Sequence, residues 1–154
     1  MTKDVAPAQL GSAGLRRIMR VAGTLHRGLF RLSGGRIGGA LGKMPVLLLT
    51  TTGRKSGQPR TWPLGYFRDG ERTIIIASAG GEPTHPAWYL NLTANPRVTV
   101  QIGQETIPMA AATATGAERE RLWTRLVADF PNFADYQKKT TRQIPVVILT
   151  GRSA

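Results

Sequence analysis

Asp69-Gly70 stands between two runs of strand character, Arg60 to Arg68 and Arg72 to Ala79, and no other feature constrains the fold of this chain as much. An Asp-Gly pair supplies the left-handed backbone that a tight hairpin turn needs, so the two runs should pair antiparallel. Pro63 removes a ladder donor from the first run and implies an edge or a bulge there. A second hairpin is expected from Arg97–Ile102 and Thr106–Ala112 around Gly103-Gln104. Val46–Thr52, an apolar run closing in threonines, and Ile144–Thr150, with Pro145 near its start, supply further strands. A short helix from His85 to Leu92, with Pro86 at a first helical position and Asn95-Pro96 at its end, interrupts the hairpins. A longer helix opens at Thr115-Gly116-Ala117-Glu118, a capping-box pattern, and carries Leu122, Trp123, Leu126, Val127 and Phe130 as its apolar set. There is no repeat and no βαβ alternation, which argues against a doubly wound dinucleotide-binding sheet. The fold class that follows is α+β, built on a mostly antiparallel barrel whose closure removes exposed strand edges.

At 154 residues the chain fits one domain. Residues 1–12 are small and polar and are expected to be disordered, leaving 13–154 as the domain. Leu15, Ile18, Met19, Ala22, Leu25 and Leu29 recur at helical spacing, with Arg16, Arg17, Arg20, Arg27 and Arg31 at other positions, so 13–31 reads as a basic amphipathic helix. Such a helix either packs on its own domain or meets an anionic membrane surface, and the spacing does not choose. The glycine-rich Ser33 to Gly39 ends it. Lys and Arg total 21 against 9 acids, a net charge of +12 that directs the chain toward anionic partners: nucleic acid, an acidic membrane or a polyanionic cofactor. The absence of cysteine excludes disulfides, thiolate nucleophiles and Cys-ligated metal. His26 and His85 lie far apart with no carboxylate at ligand spacing, so no metal site is expected. No apolar run approaches the roughly 18 residues of a membrane span, and the first residues lack the apolar block of a signal peptide. A cytoplasmic placement is expected, with the inner membrane face as a peripheral location for the helix.

Gly53-Arg54-Lys55-Ser56-Gly57-Gln58-Pro59-Arg60 joins two strand runs through a glycine-bounded turn that carries cations and a hydroxyl. Glycine lets successive N–H groups point one way, and Arg and Lys beside such a nest suit a phosphate or carboxylate. An exposed, merely soluble hairpin is the other reading of these residues. No serine–histidine–acid relay, carboxylate pair or metal set stands out, so an enzyme built on this chain must let a cofactor carry the reaction.

Thr52-Gly53-Arg54-Lys55-Ser56-Gly57 and Pro86-Ala87-Trp88-Tyr89-Leu90-Asn91-Leu92 together resemble the deazaflavin-dependent nitroreductase family, reductases that use coenzyme F420, an 8-hydroxy-5-deazaflavin. The likeness runs from about Leu15 to Leu149 and includes Gly34-Gly35-Arg36-Ile37-Gly38-Gly39 and Ile144-Pro145-Val146-Val147. It implies a split β-barrel of the FMN-binding type with an N-terminal helix, a short cofactor-covering helix and a C-terminal helix pair. Arg54, Lys55, Ser56 and Arg60 match the positions that hold the phosphodiester and poly-glutamate end of F420. Thr61, Trp62, Pro63, Leu64, Gly65 and Tyr66, with Ile76, Ala77, Ser78 and Ala79, match the segments that wall the deazaflavin ring. Ala87, Trp88, Tyr89, Leu90 and Asn91 match the helix that covers it. Phe130, Phe133 and Tyr136 match the acceptor-side positions, and their i, i+3, i+6 spacing places them on about one side of a helix. Tyr136 and Ser78 are the catalytic candidates, Tyr136 as a hydrogen-bond or proton donor to the acceptor. Read without the resemblance, the small residues 77–79 also fit tight strand packing, Trp88 fits core burial, and the three aromatics fit anchors of a cap helix.

The chain departs from the pattern at Ala79, where nitroimidazole-activating members carry lysine, and at Phe130 and Phe133, where they present tyrosines. The activity implied is hydride transfer from F420H2 to a small-molecule electron acceptor: a quinone, a nitroaromatic or a conjugated enone. The alternatives are the same barrel with FMN, a basic nucleic-acid-binding barrel, and a cofactor carrier without reductase activity. No nucleic-acid partner is expected under the leading reading, and the chain is expected to be a monomer or a homodimer.

Overall fold

The computed structural model describes residues 40–41 and 44–152. The expectations for 1–12, for the helix over 13–31 and for the glycine segment 34–39 lie outside the described residues. Seven strands appear: β1 (Ala40–Leu41), β2 (Met44–Thr52), β3 (Pro59–Asp69), β4 (Arg72–Ile76), β5 (Arg97–Ile102), β6 (Glu105–Thr113) and β7 (Val146–Gly151). The helices are α1 (Ala87–Ala94), α2 (Gly116–Asp129) and α3 (Asn132–Lys138), with a single 3-10 turn at Ala79–Gly81.

The strands pair antiparallel in the order β1-β2-β3-β4-β7-β6-β5, and β5 returns to β2 through Leu49↔Val100 and its neighbours, which closes a six-strand barrel. This is the split-barrel fold the sequence led us to expect. The Asp69-Gly70 hairpin forms as read, with Asp69↔Arg72 the last pair and Gly70 at φ +62°. The second hairpin turns at Gly103, φ +58°.

Period-two alternation divides the apolar residues into two cores. Leu47, Leu49, Ile75, Val98, Val100, Met109, Val147 and Leu149 face inward and meet inside the barrel, where Trp88 and Leu92 of α1 join them. Met44, Phe67, Ile74, Ile76 and Val146 point outward, and Leu122 and Leu126 of α2 cover them. Each fully buried Leu or Ile contributes about 1.5–3 kcal/mol, so both faces of β4 have to be covered.

Two local expectations fail for tertiary reasons. Thr115 is the N-cap of α2 but its side chain makes no capping bond, and the Glu118 carboxylate pairs with Arg72 on β4. Arg72, Arg121 and Arg125 also converge on Asp69, tying the hairpin turn to α2. Pro86 is the N-cap of α1 and not its first helical residue, so the helix starts at Ala87 and excludes His85.

Candidate functional site

Strand β3 outruns β4. Their pairing covers only Tyr66 to Asp69, so Pro63, Leu64 and Gly65 have β2 on one flank and an open flank on the other. Pro63 therefore occupies a local edge inside a closed barrel, the placement its missing N–H requires. A cavity of about 820 Å³ opens on that flank, floored by Pro63, Leu64, Gly65 and Met44, walled by Ile76, Ser78, Ala79, Gly80 and Trp88, and roofed by Phe130, Phe133 and Tyr136. Its size and apolar lining suit a small-molecule or cofactor site. Gly65 packs closely on the floor: a Cβ there would lie 2.5 Å from the Met44 sulfur and displace that side chain.

The wall is not the strand that the sequence suggests. β4 ends at Ile76, and the chain swings out after the Ala77 amide donates to the Pro145 carbonyl at 3.0 Å. Ala79, Gly80 and Gly81 then take left-handed φ values of +46°, +63° and +86°. For Ala79 this costs about 1–2 kcal/mol, because an L side chain meets its own carbonyl. Arg142 holds the segment in place. Its guanidinium donates to the carbonyls of Ser78 (2.7 Å), Glu82 (2.9 Å) and Ala77 (3.1 Å) and to Nδ1 of His85 (3.1 Å). Since Arg has only donors, Nδ1 of His85 must be the acceptor and the imidazole is neutral with its proton on Nε2. Burial and then the Arg142 charge lower the His85 pKa, and burial lowers that of Arg142. Gly81 presses on α3, where a Cβ would approach the Tyr136 carbonyl to 2.7 Å. Wall and roof are thus one packed unit.

The roof aromatics converge by another route than a shared helix. Phe130 is the C-cap of α2, Pro131 stops that helix, and Phe133 and Tyr136 stand on α3. A break at Pro131 follows from its missing donor. Phe133 and Tyr136 meet edge to face with centroids 5.5 Å apart. Asp129, Pro131 and Asn132 also line the cavity, as do Met44 and Gly80; the sequence reading named none of them as site residues.

The remaining expected residues lie outside this cavity. Arg54, Lys55 and Ser56 are exposed on the β2–β3 loop, and Arg60 is exposed at the start of β3. That loop is closed by hydrogen bonds from the Gly53 amide to Gln58 O and from the Gly57 amide to Gly53 O, both 2.8 Å. A Cβ on Gly53 would come within 2.6 Å of the Ser56 hydroxyl oxygen and 3.2 Å of the Gln58 carbonyl oxygen, so the loop is closely packed there. That oxygen accepts from the Gln58 amide (3.2 Å) and from Arg60 (3.4 Å), so Ser56 shapes the loop. Asn91, only 4 % exposed, accepts from the Arg54 amide and donates to Thr51, both at 3.1 Å. It anchors the cation loop to α1 through both atoms of its side-chain amide. Thr61 bonds Thr50 at 2.8 Å, and Trp62, Tyr66 and the fully buried Ala77 pack with the barrel core. Tyr89 bonds Thr113 at 3.0 Å and packs against His85; Ala87 is exposed and Leu90 half-buried. Trp88 serves both roles, being 5 % exposed in the core and lining the cavity.

Cavity and loop belong to one strand. Arg60 precedes Pro63 by three residues, roughly 10 Å of strand rise. A ligand with a flat apolar end and an anionic tail can span both.

A sequence model of the F420H(2)-dependent quinone reductase family matches residues 24–151. An F420H(2)-dependent quinone reductase of Mycobacterium tuberculosis (strain H37Rv) is 43% identical over 132 residues, covering 83% of this chain and 89% of the relative. Among solved structures, an F420-H2 dependent reductase (FDR-A) is 45% identical with a TM-score of 0.62, over 68% of this chain and 93% of its own. A domain-swapped dimer is 38% identical with a TM-score of 0.65, over 86% and 98%.

Proposed function

This chain belongs to the F420H(2)-dependent quinone reductase family, and we propose that it uses F420H2 to reduce a flat conjugated quinone seated under Phe130, Phe133 and Tyr136. The observation that carries this reading is the apolar cavity and the cationic loop on one strand, a matched pair for a cofactor with a planar ring and an anionic tail. When bound, that cofactor supplies the hydride that no side chain here can supply. Arg54 and Lys55 hold the anionic end while Asn91 and Gly53 fix the loop that carries them. Pro63, Gly65 and Gly80 leave the backbone bare enough for a flat ring. Phe130 and Phe133 stack on the acceptor and keep water out. The hydroxyls of Tyr136 and Ser78 have no hydrogen-bond partner among the described residues, and both residues line the cavity. Tyr136 donates to the acceptor oxygen; Ser78 is a second donor on the wall.

Quinones are favoured over bicyclic nitroimidazoles, because Ala79, Phe130 and Phe133 offer no polar anchor. The same reading takes 13–154 as one domain and includes a homodimer, supported by the domain-swapped relative. It also includes a peripheral contact of the basic segment 13–31, which lies outside the described residues, with anionic lipid, supported by its arginines; no helix among the described residues is long and apolar enough to cross a membrane.

The test is F420 titration of the Arg54→Ala/Lys55→Ala double variant. Each lost charged hydrogen bond costs about 1.5–3 kcal/mol, so affinity should fall by roughly two decades or more at unchanged stability. Equal losses for F420 and for a fragment without its phosphodiester tail would sink the assignment.

A further inference from the structure

A second cavity, about 460 Å³, lies on the far side of the cation loop, between the ends of β2 and β5. It shares Gly57 and Pro59 with that loop, and Thr52, Thr99, Arg97 and Arg152 complete the part that matters. No carboxylate lines it. Nε of Arg152 is buried and has no hydrogen-bond partner among the described residues. Arg152 lines the hollow with no carboxylate beside it, so its guanidinium is left without an anionic partner there. Arg97, exposed at the start of β5, brings a second guanidinium to the same hollow, and such groups match carboxylates in fork geometry.

The position of the hollow says which carboxylate. β2 separates β3 from β5, and Thr50 pairs with Thr61 on one side and with Thr99 on the other. Pro59, on the strand that joins the large cavity to Arg60, borders the hollow, which reaches across β2 to β5, roughly 10 Å away at about 4.8 Å per strand. An acidic chain that leaves Arg54, Lys55 and Arg60 meets the hollow next.

Resting on the F420 reading above, we propose that this cavity is a carboxylate subsite for the glutamate tail of the bound cofactor. Arg97 and Arg152 grip a tail carboxylate there, and the Thr52 and Thr99 hydroxyls add donors. The ring and the phosphodiester are held elsewhere, so the subsite sets a preference for tail length.

The experiment is a fluorescence titration of the full chain with F420 bearing a long glutamate tail, with F420 bearing one glutamate, and with the tail-free deazaflavin riboside. It uses wild type, Arg97→Gln, Arg152→Gln and the double variant, each first checked by thermal unfolding. Wild type should prefer the long tail. Each single variant should weaken the long-tailed form by roughly tenfold, the size of one lost charged contact. The riboside should bind as before, and added salt should erase the preference. Unchanged tail preference in the double variant, or equal losses for all three ligands, overturns the subsite while leaving the Arg54 and Lys55 result standing. A free γ-glutamyl peptide that binds wild type equally well in the presence of saturating long-tailed F420 also overturns it, because the hollow would then serve a separate acidic ligand. Failure of any F420 form to bind wild type would defeat the functional reading itself.

Discussion

Arg142→Ala should loosen the cavity wall and cost about 2–4 kcal/mol of stability. The side chain makes hydrogen bonds of 2.7 to 3.1 Å to the carbonyls of Ala77, Ser78 and Glu82 and to His85 Nδ1. Bonds to a charged group contribute about 1.5–3 kcal/mol each when buried. The Glu82 bond is exposed, and the freed carbonyls at the rim regain water, so the sum must be discounted to the stated range. That is a large share of the 5–15 kcal/mol typical of a domain. Nothing local replaces it, because Ala79 would leave its left-handed conformation if released.

Urea unfolding gives the global loss, and hydrogen exchange locates it. The Gly81 and Glu82 amides, bonded to Ser78 O at 2.9 Å and Ala79 O at 3.2 Å, should exchange much faster, well beyond the change in core amides such as Leu49. On the proposed function F420 should also bind more weakly, since Ser78 and Ala79 wall the cavity. Arg142→Lys should recover only part, a point charge on a flexible stem being unable to reproduce the fork. The imidazole of His85 should titrate closer to its ordinary range in the alanine variant, since one cause of its lowered pKa is gone. Stability within about 0.5 kcal/mol of wild type, or full rescue by lysine, would refute the reasoning.

Asp69→Asn should flatten the acid limb of the stability curve. Hydrogen bonds from Arg121 and Arg72 hold the Asp69 carboxyl well below its ordinary range, so its contribution is complete above about pH 4 and fades as pH falls toward the folded pKa; an unchanged acid limb in urea midpoints against pH would count against the cluster. Gly81→Ala should destabilise by about 2 kcal/mol or more, combining strain at φ +86° with a Cβ 2.7 Å from the Tyr136 carbonyl oxygen, and a neutral melting curve would contradict the packed wall and roof. Tyr136→Phe should lower kcat for menadione with little change in F420 affinity, whereas Phe133→Ala should raise KM for the quinone; wild-type steady-state kinetics in both would move the acceptor pocket elsewhere.

What could be read in the sequence was what neighbouring residues decide. Asp69-Gly70 set a hairpin because the turn conformation is local, and Pro63 announced a strand edge because its missing donor is a property of one residue. Pro131 was as legible, yet a period count across Phe130, Phe133 and Tyr136 overrode it; the three converge on the cavity because α2 ends and α3 restarts, bringing two helix faces together. Residues 77–79 show the opposite limit. Their composition suits a strand, and what bends them outward is Arg142, about 65 positions away, which takes the Ala77 and Ser78 carbonyls. No window along the chain contains that pair. Glu118 likewise satisfied the capping-box pattern, but its carboxylate pairs with a cation on β4. Asn91 stands in the segment expected to cover the ring, and its side-chain amide instead ties α1 to Arg54 N and Thr51. The motif on α1 and the motif on the cation loop are therefore physically one device, since the helix residue fixes the backbone that carries Arg54. On the proposed function, removing Asn91 should weaken tail binding as a change in Arg54 does, without touching the apolar cavity lined by Phe130, Phe133 and Tyr136.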